Sequence, residues 1–494
     1  MEKEIKYGVP SSELDTVPMQ EIVKEKNCKN VNKRKKSFRD DVLTSKTVQS
    51  QIVRSVCVSA AYMITGWTKG LIGPAFPDIM MISGADLENG SLFMTALYTG
   101  LLLGSVGGGV IYSKIDKYLL FTVSLVLYSV MVALIPWCSS YQLMVVAHAF
   151  LGVCGGLTSV GVGFESIAIW GPTPRGRSYL LVNSAAYAIS SVISPLATAP
   201  FLLKHSVSIN SNNSSWNSTS SVQSFYTTIN NTNQSYIIDM ELFNNNITTP
   251  SKSSKLYIAY TISAVLGLTI ALLFFILFCQ QGSVTIQKSS SDQLKFIGKY
   301  SLHLKRLQLF NISVFSVIQN AVDFTFTGYL ATFCINYLGW TKTIAATITS
   351  VAFFTRLLGT TSGIFLLRYF RTHQLLLSAT VASTVGFIGF TICAHVHFDV
   401  GIWISLCVIG IPYGLLWPNM LSWINEYLIP MRSEMAGLMN FTAGLGALLA
   451  PLLLGYLMEH VSLLWFCYLF CSKSLILTGN SVLMFVYTMP KDTK

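Results

Sequence analysis

A short basic turn occurs twice in this chain at a fixed offset. Gly109-x-x-x-Ser113-Lys114-x-Asp116-Lys117 follows one apolar pair, and a degenerate copy, Gly363-x-x-x-Leu367-Arg368-x-x-Arg371, follows another. Lys114 and Arg368 stand 254 positions apart, as do Lys117 and Arg371. A third match, Ser194-Pro195-Leu196 against Ala450-Pro451-Leu452, is displaced by 256. Self-similarity over this length means that the chain folds as two related halves.

Of 494 residues, 52% are hydrophobic and only 11% charged, so the halves cannot be wrapped into a soluble particle. A membrane span needs roughly 20 apolar residues. About twelve such stretches are present, near 52–74, 91–112, 118–138, 141–163, 179–203, 256–279, 308–338, 343–367, 374–394, 401–424, 436–458 and 463–488. The expected fold is all-α and polytopic, with about 12 transmembrane helices in two pseudo-symmetric six-helix halves, residues 51–279 and 307–488. Two apolar halves related by a repeat are the layout of a secondary transporter whose site lies between them.

Orientation follows from the cations of the short loops, which resist translocation. Lys33 to Lys36 with Arg39, Lys114 and Lys117, Arg175 and Arg177, Lys295 to Arg306, Arg368 and Arg371, and Arg432 fall on one side; few cations, notably Lys204, Lys252, Lys255 and Lys342, fall on the other. Both termini are therefore expected in the cytosol. The net charge of +11 is mainly this topology signal, although the basic tail can also touch anionic lipid. Nucleic-acid binding is not implied.

Residues 1–50 are polar, have no apolar signal-peptide core and read as a disordered basic tail. Residues 204–254 form a Ser/Asn/Thr-rich insert with Asn-x-Ser/Thr acceptors at Asn212, Asn213, Asn217, Asn230, Asn233 and Asn246. Glycosylation needs lumenal exposure, which agrees with the charge reading and points to the secretory route and the plasma membrane. The alternative is a low-complexity insert with chance acceptors. Residues 280–306 suit a cytosolic linker, and 489–494 a cytosolic C-terminus. The ten cysteines show no framework or metal-ligand spacing.

Gly73-Pro74 with Asp78, Ala168-Ile169-Trp170-Gly171, Ser194-Pro195-Leu196, the run from Asp323 to Gly328, Arg356-Leu357-Leu358 and Trp417-Pro418 carry a resemblance. The chain resembles the major facilitator superfamily and, within it, the sodium-dependent glucose transporter group, also described as major facilitator superfamily domain-containing protein 4. The resemblance implies a sugar substrate, sodium coupling and a central cavity bordered by span seven. Departures accompany it. Ser113 and Leu367 stand where the superfamily loop usually has an acid. Ser159 to Gly163 replace a polar run of span four that holds an acid and an asparagine in the glucose group, which counts against sodium coupling.

A charge inside a span costs about 2.5–3.5 kcal/mol on insertion scales and is usually kept for a pathway or a partner. Asp323 is the foremost case: Gln319, Asp323 and Thr327 fall at i, i+4 and i+8 on one helix face, with Asn320 beside them. Its carboxylate can hold a cation, take a proton, bond substrate hydroxyls or lock helices in a buried ion pair. Lys69, beside Trp67 and Thr68, can face a cavity or snorkel, and would form an interhalf pair if it met Asp323. Arg356, in the inner half of span eight, can pair with a carboxylate or reach cytosolic water, with a structural role the first reading. Glu165 is expected to bond Arg175 or Arg177, His148 to be a packing residue and Lys473 to snorkel.

A sugar needs hydrogen-bond partners, for which Thr65, Asn183, Gln319, Asn320 and Asn419 are candidates, and aromatic rings, for which Trp67, Tyr329, Tyr413 and Trp417 are. The same set suits amino acids, nucleosides or drugs. Lys114, Lys117, Arg368 and Arg371 would latch the inner side, and Pro195 and Pro451, each beside small residues, would permit bending or tight packing. Nothing suggests an enzyme. The expectation is a secondary active transporter working by alternating access on a small organic solute, a sugar such as glucose first, as a monomeric unit. It needs no cofactor beyond Na+ or H+ as coupling ion at Asp323. The alternatives are a proton-coupled or facilitative carrier of another organic solute, and a non-transporting receptor or scaffold on the same fold.

Overall fold

The computed structural model describes residues 46–112, 114–170, 174–202, 255–281, 301–366, 369–429 and 433–492. The chain divides into a short unit, Met1–Val56, and a large one, Cys57–Lys494, which holds everything discussed below. Most of the N-terminal tail, the insert with its six glycosylation acceptors, most of the linker, and Arg368 lie outside the described residues.

Twelve α-helices make up the described bundle, and it contains no strand. They are α1 (Lys46–Ser83), α2 (Leu87–Ile111), α3 (Lys117–Leu134), α4 (Tyr141–Trp170), α5 (Pro174–Thr198), α6 (Leu256–Gln281), α7 (Leu302–Asn336), α8 (Lys342–Leu366), α9 (Thr372–His395), α10 (Asp399–Trp423), α11 (Ser433–His460) and α12 (Trp465–Asp492). Ten of them are long and apolar enough to cross a membrane. The remaining two, α1 and α5, carry polar residues such as Thr68, Lys69, Ser190, Ser191 and Ser194 along their length.

Two boundaries differ from the sequence expectation. Gly73-Pro74 does not close α1, which runs through Pro74 and Pro77 to Ser83; a helix in a bundle can re-satisfy the bonds that proline removes. The linker is shorter than 280–306, because α7 begins at Leu302, with Ser301 as its N-cap residue. The α1–α2 and α7–α8 turns reuse one device. Gly84 (φ 66°) and Gly339 (φ 69°), 255 positions apart, take the left-handed backbone that glycine adopts without Cβ strain.

Within each half, helices meet backbone to backbone. Gly100 and Gly104 of α2 face Gly152 and Gly156 of α4; a Cβ at Gly100 would sit 2.0 Å from the Ala149 carbonyl oxygen, and one at Gly152 2.0 Å from that of Leu97. The corresponding pair in the second half, α8 and α10, repeats this through Gly359 against Ile411 and Gly414 against Arg356. Small residues permit such approach where lipid supplies no hydrophobic drive.

The halves meet through α2 with α11, α5 with α8, and α1 with α7. Polar contacts tie this seam from mid-bundle to the end where α1 turns into α2. The Leu87 amide donates to Glu459 at 3.1 Å, His460 contacts Glu88 at 2.7 Å, Lys342 pairs with Asp78, and Ser350 donates to the Val192 carbonyl.

Candidate functional site

Midway along the seam three charged side chains converge. Lys69 of α1 donates to Asp323 Oδ2 of α7 at 2.8 Å, and Arg356 of α8 pairs with the other carboxylate oxygen. The stripe expected on α7 is present: Thr327 donates to the Asp323 carbonyl at 2.9 Å, and Tyr413 of α10 donates to the Gln319 carbonyl. Aromatic faces flank both cations. The Lys69 ammonium lies 4.1 Å from the Phe324 ring centre, which itself stands 4.9 Å from Tyr98, and the Arg356 guanidinium lies 5.5 Å from the Tyr413 ring. Lys69 and Asp323 are 10% and 11% exposed and Arg356 is 24%, so the cluster is nearly dry and Arg356 is its most exposed member.

Behind Asp323 lies a cavity of about 20 Å³ bordered by Thr327, Arg356 and Tyr413 among apolar neighbours. That is room for an occupant of water size. The Gln319 side-chain oxygen, buried one turn before Asp323, has no partner among the described residues; nor has either side-chain atom of Asn419. Such groups are costly to bury unpaired and are available to a ligand.

Other candidates fall elsewhere. Trp67 points away from the seam and donates to Ser263 of α6 at 2.8 Å. Asn183 is tied inside the first half, accepting from Ser59 at 2.5 Å and donating to Ser166 at 2.8 Å. Tyr329 is fully buried, packed on Phe76 and donating to the Pro451 carbonyl at 3.4 Å. Asn320 donates to the Ser316 carbonyl at 2.8 Å and Thr65 to that of Tyr62 at 2.8 Å, both along their own helices. Trp417 is half-buried one turn beyond Tyr413. Pro195 is buried beside Gly70, at the crossing of α1 and α5. The basic turn is split in function: Lys114 is exposed, while Lys117 pairs with Glu165 of α4 at 2.7 Å inside the same half. Arg371 is exposed at the start of α9.

Of the remaining charged residues, only Lys473 departs from its expected role. Glu165 pairs with Lys117 of α3 at 2.7 Å; the side chains of its expected partners, Arg175 and Arg177, lie outside the described residues. Arg356 reaches the central carboxylate, one of the two outcomes its depth in the span left open. Lys473 does not snorkel: its ammonium is buried without a hydrogen-bond partner among the described residues, 5.6 Å from the Phe470 ring. His148 behaves as a packing residue, bonded to the Met144 carbonyl at 2.8 Å and stacked on Phe93. The pair Asp78–Lys342 had no sequence reading, since Lys342 counted only as an outer-loop cation. One signal pointed to Lys69–Asp323: their separation of 254 equals that of the basic turns.

Comparison with known proteins gives a consistent picture. A family model described as Major Facilitator Superfamily matches residues 252–451. Sodium-dependent glucose transporter 1A of Mus musculus is 22% identical over 411 residues, covering 81% of this chain and 88% of that protein. Sodium-dependent glucose transporter 1 of Homo sapiens is 23% identical over 402 residues, covering 81% and 72%. Among solved structures, the nucleoside transporter NupG superposes with a TM-score of 0.61 at 12% identity, covering 87% of this chain and 99% of that one. A D-xylose–proton symporter gives 0.60 at 11% identity, covering 88% and 97%. The chain thus has the fold of the major facilitator superfamily, and in sequence it is similar to the sodium-dependent glucose transporter 1 proteins over about four fifths of its length.

Proposed function

We propose that this protein is a secondary transporter that moves a small polar organic solute across a membrane by alternating access, with Lys69, Asp323 and Arg356 at its central site. The observation that carries this reading is the ion cluster itself, nearly dry, part-open and shared between the two repeats. Charges are placed in this position at a cost only where they serve a pathway or a partner. Solute binding separates Lys69 from Asp323 and so loosens the seam; a ligand shifts the two access states only through its different affinity for them.

Sugar transport is the first substrate reading, from the names of the relatives and from the buried Gln319 side-chain oxygen, one turn before Asp323, which has no partner among the described residues. Sodium coupling sits less easily with the geometry. A sodium ion added here would take the formal charge of the cluster from +1 to +2, so a coupling cation has a place on Asp323 only after Lys69 withdraws. With the Lys114 and Lys117 end in the cytosol, the tied end of the seam faces outward, as in a plasma-membrane carrier with its outer side closed.

Uptake of labelled glucose by the purified protein in liposomes, with sodium, a proton gradient or neither, tests this. Accumulation that requires inward sodium and fails in Asp323→Asn supports sodium–sugar symport. Uptake independent of any gradient supports a facilitative carrier. Absence of uptake for glucose and for every other solute in a thermal-shift screen sinks the transporter reading.

A further inference from the structure

The central cluster is not charge-balanced. Two cations, Lys69 and Arg356, share the single carboxylate of Asp323, while the other buried carboxylates of the described helices are engaged elsewhere, Asp78 with Lys342 and Glu165 with Lys117. The formal sum at the centre is +1. In a low-dielectric interior an unmatched charge is penalised, and an incoming opposite charge is attracted more strongly than it would be in water. The Phe324 and Tyr413 faces soften the excess without cancelling it. A neutral sugar would leave the imbalance in place.

Resting on the transport reading above, we propose that the solute is an organic anion whose carboxylate docks on Arg356 and Lys69, giving two cations and two carboxylates with Asp323. Arg356 is the entry point, being the most exposed of the three, and its planar fork matches a carboxylate in two parallel bonds. The docked anion competes with Asp323 for Lys69, so binding itself weakens the bond between the repeats. The buried acceptor of Gln319, one turn away, takes a hydrogen bond from a hydroxyl on the same solute. A hydroxy acid or sugar acid satisfies both features, and a sugar acid also agrees with the sugar reading.

The test uses the purified full chain and two matched pairs of probes, glucuronate with glucose and lactate with propane-1,2-diol, at constant ionic strength. The expected result is that the acid of at least one pair raises the Tm and its neutral partner does not. Arg356→Gln weakens that response roughly 10- to 100-fold in half-saturating concentration, while Arg356→Lys keeps part of it. An equal or larger shift from the neutral partner overturns the proposal, as does no shift from either acid, or an acid response unchanged in a folded Arg356→Gln variant. A neutral-solute response lost in Asp323→Asn leaves the central site standing with a different substrate class. A response to any solute that ignores both substitutions removes the central site as well.

Discussion

Lys69 and Asp323 occupy the same position in the two repeats, 254 residues apart, and they touch at 2.8 Å. Equivalent positions can meet only near the pseudo-two-fold axis that relates the halves. Gly73 and Thr327, also 254 apart, confirm the crossing: a Cβ on Gly73 would lie 2.5 Å from the Thr327 carbonyl oxygen. One place in the repeat has thus become a cation in α1 and an anion in α7.

The members of the cluster are unequal. Asp323→Asn strands two cations, whereas Lys69→Gln leaves a neutral Arg356–Asp323 pair. Removing the shared carboxylate should cost about 3–5 kcal/mol, the usual range for an uncompensated buried charge, and Lys69→Gln distinctly less. Thermal unfolding of both variants in one detergent checks the order; equal losses would mean that the cluster is better hydrated than its exposure implies.

Gly73→Ala should force α1 and α7 apart, because the new methyl group meets backbone that cannot swing aside. Overpacking of this kind costs about 1–3 kcal/mol. A cysteine pair at 69 and 323 should then cross-link more slowly in the Gly73→Ala background than with Gly73 intact.

A disulfide between Glu88→Cys and His460→Cys should fasten the tied end of the seam, where these side chains lie 2.7 Å apart. Uptake should stop on oxidation and return on reduction. Continued uptake in the oxidised variant would show that this end does not open during transport.

Lys473→Met should stabilise the protein by about 1–3 kcal/mol, since it removes a buried ammonium with no hydrogen-bond partner and keeps the apolar stem. Solute uptake should be unaltered, as Lys473 has no contact with the central cluster among its described interactions.

The sequence made the twelve helices, the doubled architecture and the α7 stripe legible, because hydropathy and spacing encode length and face directly. It also placed Lys69 opposite Asp323 as a conditional pair, which the shared 254 offset supports. Trp67, Asn183 and Tyr329 were harder. A helix inside a twelve-member bundle has several buried faces, and periodicity does not tell the face toward the central axis from the one toward a neighbour in the same half. Ser263 and Ser166, which hold Trp67 and Asn183, lie 196 and 17 residues away, and no local pattern marks them. Depth along its helix leaves Arg356 free to meet a carboxylate or cytosolic water; its pairing with Asp323 of α7 is a tertiary contact that no local spacing encodes.

The glycine contacts of α2 with α4 and of α8 with α10 make the protein mechanically uneven. Inside each half, neighbouring helices rest carbonyl against α-carbon, with no side chain between them to rotate or compress. Along the seam, apart from close crossings such as Gly73 on Thr327, most polar ties pass through side chains that can change rotamer, such as Lys69, Lys342 and His460. Strain is therefore expected to be relieved at the seam before it reaches the helix pairs inside each half. Softness is concentrated along the seam that carries the Lys69–Asp323–Arg356 cluster.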